Sequence, residues 1–107
     1  MNVARRRKAA VTPAAETEAG FQAEVIELAK LRGWLVFHNY DSRRSESGFP
    51  DLCLVRSGRV IFAELKTARG TVRPDQREWL MTLALCGGVE VYLWRPSFWA
   101  QIEQALR

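Results

Sequence analysis

A predicted β-hairpin limits what this chain of 107 residues can fold into more than any other feature. Two apolar segments, residues 52–56 and 59–62, are separated by Ser57-Gly58, a pair that is typical of a tight turn. Apolar side chains occupy both faces of the two predicted strands, which is typical of strands at the centre of a sheet that is covered on both sides. We therefore expect the other strands and the helices to be arranged around this hairpin.

The register of the hairpin predicts an unusual pair of acidic residues. If the turn contains only Ser57 and Gly58, Asp51 lies directly opposite Glu64, whereas a bulge or a longer loop would shift the pairing by one residue. Lys66 projects from the same face as Glu64 because side chains alternate along a strand. Two carboxylates that lie opposite each other repel, and a divalent cation between them would remove the repulsion. Because oxygen ligands suit Mg²⁺ or Mn²⁺, the spacing predicts a metal site with a lysine beside it.

The composition is that of a globular domain with a basic amino-terminal segment. Hydrophobic residues make up 48% and charged residues 26% of the chain, which is ordinary for a globular protein, and the length suits one domain with a single core. Arg5, Arg6, Arg7 and Lys8 precede the first acidic residue, Glu16. We expect a disordered basic arm over residues 1–14 and a single domain over residues 15–107. Such an arm contacts nucleic acid or is only a solvated tail.

The two cysteines and the apolar segments indicate the compartment. No apolar run is long enough to span a membrane, and the start of the chain lacks the apolar core of a signal peptide. Cys53 and Cys86 form no CxxC pair, and each lies in an apolar segment. We expect buried, reduced thiols in a cytoplasmic protein.

Five further segments have the pattern of a helix or a strand. They are a helix that begins between Pro13 and Glu18 and ends near Arg32-Gly33, a strand over 34–40, a helix from Pro74 to about Cys86, a strand over 89–94, and a short last helix capped by Ser97. The predicted order is αβββαβα, which indicates an α/β fold with a mixed sheet flanked by helices.

The helices are expected to direct apolar side chains to the sheet. In the second helix the expected apolar stripe is Trp79, Leu80, Leu83 and Leu85, with Gln76 on the same side one turn earlier. In the first helix Glu18 lies in the middle of the apolar face, where burying an unpaired carboxylate is costly. Glu18 therefore either lies at a frayed helix end or is a third carboxylate that reaches the metal.

Taken together, the motifs resemble the PD-(D/E)xK nuclease superfamily and, within it, the VRR-NUC family of small, often phage- or prophage-encoded nucleases. The resemblance covers roughly residues 17–106 and depends on several segments in the same order: Thr17-Glu18, 25–29, 42–45, 48–52, 62–66, Gln76 with Trp79-Leu80, and 90–96. It implies a restriction-endonuclease-like fold. It also implies that Glu18, Asp51, Glu64 and the Leu65 carbonyl are metal ligands, that Lys66 is catalytic, and that Gln76 is a supporting residue of the site.

The resemblance implies an Mg²⁺- or Mn²⁺-dependent endonuclease that hydrolyses phosphodiester bonds in DNA, in the cytoplasm of a bacterial or phage-infected cell. Small members of the superfamily resemble Holliday-junction resolvases, so a homodimer that acts on branched DNA is expected. Arg43 and Arg44 adjoin Asp51 in sequence and are expected to contact DNA phosphates, unless they belong to a solvated loop. Two alternatives stay open: a simple salt bridge of Lys66 with Asp51 or Glu64, and a DNA-binding or interaction module that keeps the nuclease fold without cutting.

Overall fold

The structure, a computed structural model, describes residues 17–40 and 46–107. Its elements in chain order are α1 (Glu18–Leu31), β1 (Leu35–His38), β2 (Leu52–Arg56), β3 (Arg59–Leu65), α2 (Pro74–Ala84), β4 (Glu90–Trp94), a 3₁₀ turn (Pro96–Phe98) and α3 (Trp99–Ala105). This is the predicted αβββαβα order, and the α/β class is confirmed. In this part of the chain no helix is long and apolar enough to cross a membrane.

The four strands form one mixed sheet in the order β1-β2-β3-β4. The pairs β1–β2 and β2–β3 are antiparallel, and α2 connects β3 to β4, which are parallel. The hairpin has the predicted register, since Arg56 pairs with Arg59 across a loop of two residues. Both loop residues, Ser57 and Gly58, have positive φ angles of 50° and 80°, as a type I′ turn requires.

The main core lies on one face of the sheet, beneath α1 and α3. α1 begins at Thr17, whose side-chain oxygen accepts a hydrogen bond of 3.0 Å from the backbone N–H of Gly20, a typical N-cap. Its buried side chains meet those of the central strands and of α3, namely Phe21, Val25, Leu28, Ala29, Leu52, Leu54, Ile61, Leu65, Ile102 and Leu106. A continuous apolar core of this kind is the main stabilising contribution to a small domain.

Arginine side chains and one indole hold the end of α3 against the sheet. The Trp34 Nε1–H donates to the Leu106 carbonyl at 3.0 Å, and Arg56 lies over the Trp34 ring at 4.5 Å. Arg59 donates to the Ala105 carbonyl at 2.9 Å and to both carboxylate oxygens of Glu90 at 2.7 and 2.8 Å. These groups satisfy carbonyls that a helix leaves unpaired at its C-terminus.

The opposite face of the sheet is only half covered, which corrects the expectation of two covered faces. Leu35 and Phe37 of β1 are 75% and 60% exposed. They share a face with Val55 and Cys53 because they pair with these residues across β1 and β2. α2 contacts β4, and the β1–β2 half of this face lacks a described helix above it.

The end of α2 also differs from the prediction. The helix ends at Ala84, two residues earlier than expected. Leu85, the last residue of the expected apolar stripe, is 88% exposed. Cys86 is exposed and Cys53 is half-buried, both as free thiols, so the prediction of two buried thiols is wrong for Cys86 and only partly met by Cys53. The apolar pattern continues past the helix, but Leu85 and Cys86 follow its last residue and are exposed to solvent.

Candidate active site

Asp51 and Glu64 lie opposite each other at the open end of the hairpin. The register pairs Leu52 with Ala63, which places Asp51 opposite Glu64 one residue further along. Oδ2 of Asp51 accepts a hydrogen bond of 2.8 Å from the backbone N–H of Leu65. The Asp51 carboxylate is therefore held across the two strands, next to Glu64. The predicted juxtaposition is present, while the chemical role of the pair stays a prediction.

Glu64 is a buried carboxylate in an unfavourable environment. Its side chain is 1% exposed, and burial, followed by the charge of Asp51, raises its pKa to about 8. Its Oε2 accepts a hydrogen bond of 2.9 Å from Nε2 of Gln76. Its Oε1 has no hydrogen-bond partner in the described part of the chain. A buried oxygen without a partner destabilises a fold, and functional sites are where such groups are found.

Gln76 is oriented by the first turn of α2. The backbone N–H of Arg73 donates to Oε1 of Gln76 at 2.9 Å. Because the amide oxygen is thereby identified as an acceptor, the amide NH₂ group must be the end that lies against Glu64. Gln76 is 7% exposed. The start of α2 therefore fixes the position of a buried donor, which in turn fixes the Glu64 carboxylate.

Lys66 is the cation that lies nearest to Glu64 among the contacts of the described residues. It is 8% exposed, and its Nζ lies 3.6 Å from Oε2 of Glu64. Its backbone N–H donates to the Trp94 carbonyl at 3.0 Å, which continues the β3–β4 pairing past the end of β3. The Lys66 charge lowers the pKa of Glu64, but burial and Asp51 together have the larger effect. A catalytic lysine and a simple salt bridge would both give this contact. The distance between Lys66 and Glu64 therefore does not distinguish a catalytic role from a structural one.

The turn before Asp51 is fixed to α2 at close range. Gly48 has a φ angle of +91°, and a Cβ atom there would lie 2.6 Å from the carbonyl carbon and oxygen of Asp75. Ser47 donates a hydrogen bond to the Asp75 carboxylate, and Trp79 donates from Nε1 to the Ser47 carbonyl at 3.2 Å. Only glycine fits such an approach. This contact couples the position of Asp51 to the helix that holds the supporting glutamine.

A pocket with a volume of about 140 Å³ is lined by the predicted residues Glu18, Asp51, Lys66 and Gln76 together with Asn39, Glu46, Gly48, Phe49 and Arg73. The buried Glu64 is not part of this lining, although it contacts Lys66 and Gln76, which are. Asn39, Glu46 and Arg73 were not indicated by the sequence. The backbone N–H of Asn39 donates to the Asp51 carbonyl at 3.0 Å, but this neighbour follows only from the β1–β2 register. Of these three residues, only Arg73 could have been inferred from the sequence, because it directly precedes Pro74, the predicted start of the helix that carries Gln76.

Glu18 was predicted to be a third carboxylate at the metal. Glu18 lies in the exposed first turn of α1, and its charge also raises the pKa of Glu64. Within residues 17–40 and 46–107, no group of three His, Cys, Asp or Glu side chains is arranged to hold a metal ion. Metal binding by Glu18 and by the Leu65 carbonyl therefore stays a prediction. Arg43 and Arg44 lie outside the described residues, as does the basic arm.

The mixed sheet with helices beside it is an α/β fold that is compatible with the core of restriction-endonuclease-like nucleases. The sequence model of the VRR-NUC domain matches residues 13–96, which is most of the chain, and the chain therefore belongs to the VRR-NUC family. Family membership implies nuclease activity and DNA binding in general terms. No curated protein matches the chain.

Proposed function

We propose that this protein is an Mg²⁺- or Mn²⁺-dependent endonuclease that hydrolyses phosphodiester bonds in DNA. The observation that carries the proposal is the pair of carboxylates, one of which is almost fully buried with an oxygen that lacks a partner in the described residues. The two carboxylates repel each other, and the Lys66 Nζ, 3.6 Å from Glu64 Oε2, offsets only part of this repulsion. A hard divalent cation bound between them would remove it.

The donor set fits such an ion. Asp51 and Glu64 would hold it through carboxylate oxygens, with Glu18 and the Leu65 carbonyl as further ligands, and waters would complete the shell as is usual for Mg²⁺. When bound, the ion supplies charge neutralisation at the phosphate and an acidified water. An ion in these roles needs only oxygen ligands, and the carboxylates and the Leu65 carbonyl are oxygen ligands.

The residues of the chain contribute positioning and charge. Lys66 would orient the attacking water or stabilise negative charge that develops on the phosphate oxygens. Gln76 holds the Glu64 carboxylate through its Nε2 donor, so that this side chain needs little rearrangement during the reaction. Arg43 and Arg44 are proposed to bind phosphates of the DNA backbone. The exposed Arg73 guanidinium beside the pocket is a further cation for the same purpose.

The proposed substrate is branched DNA and the proposed form is a homodimer. A subunit of 12.2 kDa covers little DNA, and two paired sites permit symmetric cuts on a branched substrate. The exposed Leu35 and Phe37 on the open half of the sheet offer an apolar surface for a second copy. The cytoplasm of a bacterial or phage-infected cell is the proposed location.

The decisive experiment is cleavage by the Asp51→Ala variant. End-labelled flaps, forks, four-way junctions and plain duplex are incubated with Mg²⁺ or Mn²⁺, and Glu78→Ala, which removes an exposed acid of α2, is the matched control. Loss of cleavage only in Asp51→Ala supports the proposal, as does a loss of Mg²⁺ binding measured by calorimetry. Undiminished cleavage by Asp51→Ala refutes the catalytic assignment.

The alternative function, a DNA-binding or interaction module that does not cut, makes a different prediction. Wild-type protein would bind the same substrates but leave them intact in both metals, and Asp51→Ala would bind them equally well. Size-exclusion chromatography with light scattering tests the homodimer independently of either activity.

A further inference from the structure

A second groove lies beside the catalytic pocket, between one side of α1 and the end of β1. Its volume is about 460 Å³, which falls within the range of roughly 300–1,000 Å³ for pockets that hold small organic groups. Ala19, Ala23 and Ile26 form the α1 wall, while His38 and Tyr40 form the opposite wall. The two alanines lie one turn apart, so their short side chains leave space in front of the aromatic rings.

Residues that are neighbours in sequence line the groove and the catalytic pocket at two places. Glu18 lines the catalytic pocket and its neighbour Ala19 lines the groove. Asn39 lines the catalytic pocket and its neighbour Tyr40 lines the groove. A DNA strand with one phosphate in the catalytic pocket therefore has an adjacent nucleotide within reach of the groove.

Tyr40 has the features of a stacking platform. Its side chain is 86% exposed, although an aromatic side chain usually buries about 150–250 Å² of surface. The ring of His38 supports it from one side, with centroids 4.1 Å apart and planes inclined by 52°. Aromatic rings exposed in this way bind unpaired bases by stacking, and each stacked base contributes about 1–3 kcal/mol.

The charges in the groove favour a base over a phosphate. Glu27 and Lys30 both line it and have opposite charges, while Gln22 is neutral. A phosphate would meet as much negative as positive charge there. A nucleobase carries no charge and offers polar edges to Gln22 and an apolar face to Ile26 and Tyr40.

We propose that this groove binds one unpaired nucleobase of the DNA substrate, stacked on Tyr40, next to the phosphate that occupies the catalytic pocket. The inference rests on the proposed nuclease function and narrows its substrate. A base inside a duplex is already stacked on its neighbours, and extruding it costs a few kcal/mol. The enzyme therefore prefers DNA in which a nucleotide adjacent to the scissile phosphate is unpaired.

The test measures binding in EDTA, where no cleavage occurs. The probes are a flapped DNA with 2-aminopurine at each of the first unpaired positions in turn, and a fully paired duplex with 2-aminopurine at the same positions. Full-length wild type, Tyr40→Ala, Tyr40→Phe and Leu31→Ala are compared, since Leu31 is also exposed, at 78%, and lines neither pocket.

Wild type is expected to quench 2-aminopurine at one unpaired position of the flap. Tyr40→Ala should abolish this quenching and weaken flap binding by roughly 5- to 150-fold, at least fivefold more than it weakens duplex binding. Tyr40→Phe keeps the ring and should behave as wild type, and so should Leu31→Ala. Equal losses on flap and duplex, unchanged flap binding by Tyr40→Ala, or a Tyr40→Phe variant that behaves like Tyr40→Ala would overturn the proposal.

The outcome is separable from the proposed function. Quenching without cleavage in Mg²⁺ or Mn²⁺ would leave the base-binding groove standing and refute the nuclease assignment. Cleavage without quenching at any unpaired position would support the nuclease assignment and refute the base-binding groove. Protein that binds neither DNA would refute both.

Discussion

Replacing Glu64 by glutamine should stabilise the metal-free protein while it abolishes activity. Glutamine has the shape of glutamate but no charge. Its amide oxygen can still accept the hydrogen bond from Nε2 of Gln76, which is 2.9 Å long in the wild type. Its NH₂ group can donate to the neighbouring Asp51, so that the repulsion between two carboxylates becomes a hydrogen bond. Activity is lost because the amide is a poor ligand for a divalent cation.

The size of the effect follows from the pKa of Glu64, which burial and Asp51 raise from 4.5 to about 8. Between these two pH values the folded protein holds a proton that the unfolded chain has released. The free energy of unfolding of the wild type therefore falls as pH rises from about 5 to about 8. Each pKa unit corresponds to 1.36 kcal/mol, so the loss by pH 8 is on the order of 4 kcal/mol, or about 15–30 °C in Tm for a domain of this size.

Urea unfolding followed by the fluorescence of the four tryptophans measures this directly, in EDTA, at pH values from 5 to 9. The free energy of unfolding of Glu64→Gln, relative to that of the wild type, should increase as pH rises. Added Mg²⁺ should raise the free energy of unfolding of the wild type only. Glu78→Gln, an exposed acid on α2, is the matched control and should follow the wild type. A Glu64→Gln variant that is less stable than the wild type throughout, or whose advantage does not change with pH, would refute the reasoning.

Three further predictions concern residues around the site. Gly48→Ala should lower the free energy of unfolding by about 1–3 kcal/mol and reduce cleavage, because its Cβ would lie 2.6 Å from the α2 backbone. Thermal melts and initial cleavage rates measure the two effects. A variant with the Tm of the wild type would contradict the close approach. Gln76→Ala should weaken Mg²⁺ binding by about tenfold or more, since the carboxylate beneath loses its positioning donor; calorimetry tests this, and unchanged affinity would count against that role. Arg59 lowers the pKa of Glu90 through hydrogen bonds, so above pH 5 the free energy of unfolding of the wild type should exceed that of Glu90→Gln by roughly 0.5–1 kcal/mol. The difference should disappear as pH falls below 4, because Glu90 is then protonated. Urea titrations at pH 3.5 to 7 measure this, and a difference that grows in acid would exclude the ion pair as its cause.

The sequence alone determined the hairpin and therefore the centre of the site. Turn chemistry is local: Ser57-Gly58 permits two positive φ angles, and a loop of two residues leaves one register. Because side chains alternate along a strand, that register also brings Asp51, Glu64 and Lys66 together. The element order and the mixed sheet followed from hydrophobic period and helix signals, which are local as well.

Only the tertiary structure decided how the other elements meet this hairpin. That Asn39 lies beside Asp51 depends on the β1–β2 pairing, and the approach of Gly48 to α2 depends on a helix more than twenty residues away in sequence. The apolar pattern of the sequence predicted burial for Leu85 and for both faces of the sheet, yet Leu85 and half of one face are exposed. The pattern shows which side chains are apolar, but it does not show whether another element packs against them. The groove at Tyr40 has the same origin, since two alanines of α1 and a strand end make a binding surface only once packing has brought them together.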